Sequence, residues 1–357
     1  MRFIGNKIKL VDWIYDELKF TNIKGGIFFD FFSGTTSVAK FFKGKGYQIV
    51  SSDLLYTSYV LQKAYIENNE NPQFLNIIGD LQKPITLFPS SALEIVLAHL
   101  DNLEPIEGFI YENYTPGGTS HLDIPRMYFT SDNGKKIDAI RTQIQNWFER
   151  ELISEQEYFI LIACLIETVP FYANISGVYA AFHKTWDPRA NKPLKLRSIN
   201  IITNNKPNYV YNTNSVDLIT EHEYDIIYLD PPYNNRQYAP NYHLLETISK
   251  YDEPEIKGVS GMRDYSNQKS KFCVKAKALD ELESILNHAN YKYLALSYNC
   301  EGIMSTEDIM NVMKKYGELT LREYKYLRYK SNSKGDSSNK KYISEQLFII
   351  KKKAKIN

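Results

Sequence analysis

The stretch Tyr224-Asp225-Ile226-Ile227-Tyr228-Leu229-Asp230-Pro231-Pro232-Tyr233 decides the fold. Its first six residues form a short apolar run rich in β-branched and aromatic side chains. Two prolines stop the run, which predicts a buried parallel strand ending in a turn. Proline lacks an N–H and holds the residue before it in extended geometry, so Asp230 and the Pro231 carbonyl stay outside any following helix. They sit where open α/β sheets gather their ligands, at the carboxyl end of a strand.

Working outward, Ile27-Phe28-Phe29-Asp30-Phe31-Phe32 is a second apolar run, closed by Ser33-Gly34-Thr35-Thr36 and followed by helical Ser37 to Phe42. Gly44 and Gly46 end that helix, Tyr47 to Ser52 form a strand finishing at Asp53, and Leu54 to Asn69 supply a crossover helix. This alternation predicts an α/β, Rossmann-like sheet. It breaks near Pro84 and resumes at Tyr209, with helical stretches at Ile137 to Arg150 and Ser154 to Tyr172 between. Residues 85–208 therefore read as an inserted, mainly helical domain, and residues 1–84 with 209–357 as the catalytic domain. After Tyr233 a long polar loop is expected, then a helix from Lys275 to Asn290 and a strand from Tyr291 to Ser297. A helix at Thr306 to Tyr316 and strands at Leu319 to Tyr329 and Glu345 to Ile350 complete the chain.

The composition narrows the partners. Lys and Arg total 43 against 42 for Asp and Glu, so no global field draws the protein to a polyanion, and any nucleic acid must meet a local patch. Cys164, Cys273 and Cys300 form no Cys-x-x-Cys pair, which argues against a disulfide framework and a zinc site and points to a reducing, cytoplasmic setting without a bound metal. No apolar run approaches a membrane span and none follows Met1-Arg2 as a leader would, so no membrane partner is expected. The lysines of 351–355 read as a solvated tail.

The groups around Asp230 suit methylation of a planar amine. An exocyclic amine on a nucleobase is a poor nucleophile because its lone pair is delocalised into the ring. Two acceptors that take its two hydrogens favour the localised, attacking form, and Asp230 with the Pro231 carbonyl is such a pair. Tyr233 then lies against the face of the extruded base, a stacking worth roughly 1–3 kcal/mol. The competing reading is a strand-ending turn with a packed tyrosine.

A glycine turn after a first strand, with an acidic residue ending the second strand, is the layout that binds adenosine ribose in doubly wound folds. Gly34 and Asp53 fit it. Thr35, Thr36 and Ser37 stand where a pyrophosphate needs glycines, and Asp30 repels a pyrophosphate yet attracts the ammonium of a methionine moiety. Charge thus favours S-adenosyl-L-methionine, with Phe32, Ser33, Gly34 and Thr35 in its pocket; the alternative is that Asp30 and Asp53 only cap helices. Lys7, before an amphipathic helix at Ile8 to Leu18, either neutralises the cofactor carboxylate or is a solvated helix-start lysine.

Phe3-Ile4-Gly5-Asn6-Lys7, Phe29-Asp30-Phe31-Phe32-Ser33-Gly34-Thr35-Thr36 and Leu229-Asp230-Pro231-Pro232-Tyr233 occur in the order of the family's motifs, and in this the chain resembles the Dam-like (alpha-group) DNA adenine-N6 methyltransferases. Asn234-Asn235-Arg236-Gln237-Tyr238, Asn241 to Glu246 and Leu296 to Gly302 look like its restriction-modification branch. The resemblance implies a methyltransferase sheet with an inserted target-recognition domain, and double-stranded DNA as substrate. It places Lys7, Asp30 and Asp53 on the cofactor, and Asp230, Pro231, Pro232 and Tyr233 on a flipped adenine. It also implies a cognate restriction endonuclease as companion. Two departures stand out: Thr36 where the family often has glycine, and Asn214 where an acidic residue is expected. Asparagine still accepts from an adenine amine, so Asn214 is placed in the cofactor site.

For DNA, Lys184, Arg189, Lys192, Lys195, Arg197 and Lys206 are opposed in their span only by Asp187, with His183, Trp186 and Tyr209 interleaved. Such a patch suits phosphates. A second basic stretch runs from Lys257 to Lys277, and Arg236 lies beside the catalytic tetrapeptide. Both stretches also read as ordinary solvated loops, and Tyr111, Tyr114, Arg126 and Tyr128 as either cleft or core. Cytosine-carbon methylation is disfavoured because no cysteine follows a proline. Methylation of the cytosine amine, an RNA substrate, and an inactive DNA-binding homologue remain the alternatives.

Overall fold

The computed structural model describes residues 5–81, 90–327 and 342–353. Phe3 and Ile4 of the first motif, the boundary at Pro84, the end of the strand expected to reach Tyr329 and Lys355 of the expected tail lie outside them, whereas Lys351 and Lys352 belong to the last strand and not to a tail. The strands among the described residues are β1 Ile27–Asp30, β2 Gln48–Ser52, β3 Tyr209–Tyr211, β4 Tyr224–Leu229, β5 Ile256–Lys257, β6 Met262–Arg263, β7 Tyr291–Asn299, β8 Gly317–Leu327 and β9 Tyr342–Lys352. Seven form one sheet in the order β3-β2-β1-β4-β7-β9-β8, and β5 and β6 make a separate hairpin. From β3 to β7 the pairing is parallel; β9 and β8 close the edge antiparallel. The order of connection reverses between β1 and β4, so their carboxyl ends open the crevice where such sheets bind ligands.

The helices are α1 Val11–Leu18, α2 Ser37–Gly44, α3 Tyr56–Gln62, α4 Ala92–Asp101, α5 Phe109–Tyr114, α6 Ser131–Glu149, α7 Glu155–Thr168, α8 Ala239–Lys250, α9 Lys275–His288 and α10 Thr306–Lys314. Strand side chains alternate between two faces. Phe28, Ile226, Tyr228, Ala295, Leu347 and Ile349 pack under α1, α2, α3 and α8. Phe29, Ile227, Leu229, Leu294, Phe348 and Ile350 pack on α9 and α10. The near-continuous apolar strands follow from this double coverage.

Residues 90–208 are helical as far as Phe171 and irregular afterwards. The apolar sides of α4, α6 and α7 join the same buried cluster as α3 and α8, so this segment shares a core with the sheet's helical layer. Ser154 and Glu157 make a capping box that fixes the start of α7.

Several expectations need correction. β1 stops at Asp30, because Phe31 and Phe32 already belong to the turn. The polar loop expected after Tyr233 contains α8, whose Tyr242, Leu244, Leu245 and Ile248 are buried. Pro240 sits in its first turn, where the missing N–H costs no helical bond. Lys206 leaves the basic patch, since its ammonium bonds the Gly25 carbonyl. Arg263 is tied to Asp252 at 2.7 Å and 2.9 Å. Tyr114 and Tyr128 are fully buried, and Arg126 grips the carbonyls of Asn113, Gly258 and Val259, so this group is core and hairpin support.

Candidate active site

One cavity lies at the switch point, lined by the turn after β1, the end of β2 and the Asp230 loop. Asp30 ends β1 and is buried; its Oδ2 accepts the Ala39 N–H of α2 at 3.1 Å, while Oδ1 has no partner. Burial, reinforced by the nearby Asp230 charge and only partly offset by the Ala39 bond, pushes its pKa up to about 8. An orphaned buried carboxylate oxygen facing a cavity asks for a cation or a donor.

The turn itself is held from the next strand. Gly34 adopts φ +49° and gives its N–H to Asp53 Oδ2 at 2.8 Å, and Asp53 Oδ1 takes the Leu55 N–H at 2.9 Å. Burial raises Asp53 to about 6 against those two bonds. Thr36 also stands in the left-handed region, at φ +60°, in the place where the family often has glycine. A β-branched residue pays about 1–2 kcal/mol for that conformation. Its hydroxyl compensates in part by donating to the Thr35 carbonyl at 2.6 Å. Phe32, Ser33 and Thr35 line the cavity, with the Ser33 hydroxyl buried and unpartnered. Asn214 lines the mouth and caps a short helical turn by accepting the Val216 N–H at 3.3 Å.

Asp230 and Pro232 line the same cavity, and Pro231 is buried beside them. The Tyr233 hydroxyl donates to Asp230 Oδ1 at 2.7 Å, and its ring meets Tyr298 edge to face at 5.5 Å. Burial pushes Asp230 up to about 7, the Lys7 ammonium opposes this, and Glu345 adds to it. Lys7 reaches this carboxylate, with Nζ 3.0 Å from Asp230 and 2.8 Å from Glu345, and also contacts the Tyr233 hydroxyl. Although burial disfavours its charge, Asp230 and Glu345 hold the Lys7 ammonium above its ordinary pKa.

Sequence reasoning missed three contributors. Glu345, toward the far end of the chain, is the one carboxylate of β9 and stands just before the apolar run Leu347 to Ile350, which is its only signal. Gln237 pairs its amide with both backbone groups of Ser270, at 2.8 Å and 3.1 Å, tying the Asp230 loop to the segment 267–272 that lines the cavity. Gln268 fixes that segment to the Leu54 carbonyl at 3.2 Å and to Glu246 at 2.8 Å. No periodicity marks either glutamine.

The basic residues of the first patch and Arg236 lie outside the cavity, whereas Lys269 and Lys271 of the second stretch line it. Lys184, Lys192, Lys195, Arg197 and Arg236 are exposed. Leu194 and Leu196 bury alternate positions of an extended stretch, so Lys195 and Arg197 face solvent; Asn133 holds its backbone through Leu194 at 2.8 Å. Arg189 is engaged by Asp187. Tyr179, on the segment leading to Lys184, gives its N–H to the Asn241 carbonyl at the start of α8 at 2.8 Å, beside the loop that carries Arg236.

The profile of the D12 class N6 adenine-specific DNA methyltransferases matches residues 3–312. The chain belongs to this family. M.FokI, a type II methyltransferase of Planomicrobium okeanokoites, is 42% identical over 359 residues, covering 99% of this chain and 53% of its own length. The modification methylase StsI of Streptococcus sanguinis is 37% identical over 99% of the chain and 52% of its own. M.NlaIII of Neisseria lactamica is 37% identical over 99% of both. The chain thus spans about half the length of the first two of these relatives and nearly all of the third. Among the described residues no helix is long and apolar enough to cross a membrane.

Proposed function

We propose that the protein transfers a methyl group from S-adenosyl-L-methionine to the N6 amine of an adenine flipped out of duplex DNA, as the modification component of a restriction-modification system in the cytoplasm. The observation that carries this reading is the meeting of Asp230, Asp30 and the Asp53-held Gly34 turn in one cavity. The residues suit the cofactor: the unpartnered Asp30 oxygen would take its ammonium, Asp53 a ribose hydroxyl, and Phe32, Ser33, Gly34, Thr35 and Asn214 would surround the rest. When bound, S-adenosyl-L-methionine supplies an electrophilic methyl group. Lys7 is the sequence's candidate for the counter-ion of the cofactor carboxylate; its contacts favour a place beside Asp230 instead.

Asp230 and the Pro231 carbonyl accept the two amine hydrogens, Tyr233 stacks on the base, and Asp230 draws off the proton that the methylated amine sheds. Its carboxyl, pushed up to about 7, is basic enough for that task near neutrality. Lys184, Arg189, Lys192, Lys195, Arg197 and Arg236 contact phosphates, and residues 85–208 supply target recognition, with a cognate endonuclease as companion.

The test is nucleoside analysis of duplex DNA after incubation with the protein and labelled cofactor. N6-methyladenine is expected, lost in Asp230→Ala with cofactor affinity retained. Label in N4-methylcytosine, or preferential labelling of RNA, would overturn the assignment.

A further inference from the structure

Glu345 enters the site from β9, the antiparallel strand beside β7. The two-residue period places Asp30, Tyr228, Asp230, Ser297 and Glu345 on one face of the sheet, the face that α1 covers and toward which Lys7 points. Ser297 donates to Glu345 Oε1 at 2.6 Å, and Lys7 Nζ lies 2.8 Å from that same oxygen and 3.0 Å from Asp230 Oδ1. The side chains of Lys7 and Glu345 are 5% and 2% exposed, so this is an interior cluster. The groups facing it are Lys7, Asp30, Asp230, Tyr228, Tyr233 and Tyr238.

An isolated buried pair of Lys7 and Asp230 would work against the reaction. The ammonium would hold a lone pair that the target amine needs, and a buried ammonium cannot release its only counter-ion without a large cost. A second carboxylate removes that conflict. Two carboxylates and one ammonium leave the cluster with a net negative charge, and the Ser297 bond keeps Glu345 from swinging away.

We propose that Glu345 is a positioning residue for methyl transfer, retaining the Lys7 ammonium when the target amine engages Asp230, so that Asp230 works as an anionic acceptor. Glu345 acts through Lys7 and does not touch the base. The inference rests on the reading of Asp230 as the acceptor.

Glu345→Gln keeps the shape and the acceptor for Ser297 and removes the charge. The expected result is a fall of about tenfold in kcat on the alkaline plateau, with cofactor Kd and the KM for DNA within about twofold of wild type. The acid limb of kcat should also move to lower pH by about one pH unit, because a neighbouring negative charge that raises Asp230 is gone, whereas Lys7→Met moves it to higher pH. In a Lys7→Met background, adding Glu345→Gln should cost no further plateau kcat, and Glu345→Asp should restore part of the loss. Wild-type kcat in Glu345→Gln, additive losses in the double variant, or loss of cofactor binding would each overturn the proposal. Asp230→Asn, run alongside, separates the two readings: if it still turns over, the acceptor assignment fails, and if it is inert while Glu345→Gln is fully active, only the role of Glu345 fails.

Discussion

Replacing Asp30 by asparagine separates charge from shape at the cofactor site. Burial and Asp230 raise this carboxyl from 3.8 to about 8, roughly four pH units, so keeping it ionised in the free protein costs on the order of 5 kcal/mol. At pH 7 a group of this pKa is about nine-tenths protonated. Under the proposed function an arriving ammonium pairs with the unpartnered oxygen and discharges that proton, so cofactor binding near neutrality should release up to one proton. The sign for stability follows: between about pH 4 and 8 the folded protein holds a proton that the unfolded chain has lost, so this contribution is fully present only below about pH 4 and falls steadily as pH rises through about 8. Asp30→Asn keeps an acceptor for the Ala39 N–H, removes that slope, and should weaken cofactor binding by about 3 kcal/mol, roughly 150-fold in Kd. Calorimetric titration in buffers of different ionisation enthalpy reads both quantities. A wild-type binding enthalpy independent of buffer, or a variant with unchanged Kd, would refute the reasoning.

Three other outcomes are expected. Asp53→Ala should reduce cofactor affinity at least tenfold and, by stranding the Gly34 and Leu55 N–H groups, lower stability by about 1–3 kcal/mol; unchanged affinity by calorimetry removes the ribose contact. Replacing Lys184, Lys192 and Lys195 together by alanine should flatten the dependence of log K on log salt by about two to three, near 0.9 for each phosphate no longer neutralised, and an unchanged slope places the DNA elsewhere. Leu245→Ala, at a fully buried position of α8, should cost about 2–5 kcal/mol in urea unfolding, against less than about 0.5 for exposed Lys257→Ala.

The sheet was legible in the sequence because its strands are short apolar runs ended by chemically distinctive turns. Phe28 and Phe29 face opposite helical layers, so both must be apolar, and the run reads as a strand without alternation. The pocket residues Asp30, Gly34, Asp53 and Asp230 were legible for the same reason: each sits at the end of such a run. Helix α8 was not, since Tyr238-Ala239-Pro240-Asn241 reads as turn chemistry and polar residues dominate its C-terminal flank. The clasp of Lys7 by Asp230 and Glu345 was out of reach, because only the antiparallel placement of β9 beside β7 brings the two ends of the chain together. Gln237 acts through the backbone of Ser270, and Gln268 through the Leu54 carbonyl and the distant Glu246 carboxylate, pairings that carry no sequence signature.

Charge explains why so many carboxylates crowd one crevice. Asp30, Asp53 and Asp230 all sit above their ordinary pKa, with burial as the leading cause in each. In the free protein this is a cost, and a neutral or pyrophosphate-bearing ligand would leave it in place or enlarge it. A cosubstrate carrying an ammonium and a sulfonium relieves it, and so does an amine that gains positive character as it is methylated. Under the proposed function the same carboxylates favour the charged ligand and the transition state, which is the differential binding that lowers a barrier. Under the proposed function, loss of the sulfonium charge on transfer weakens the hold of these carboxylates on the product and biases the site toward releasing it.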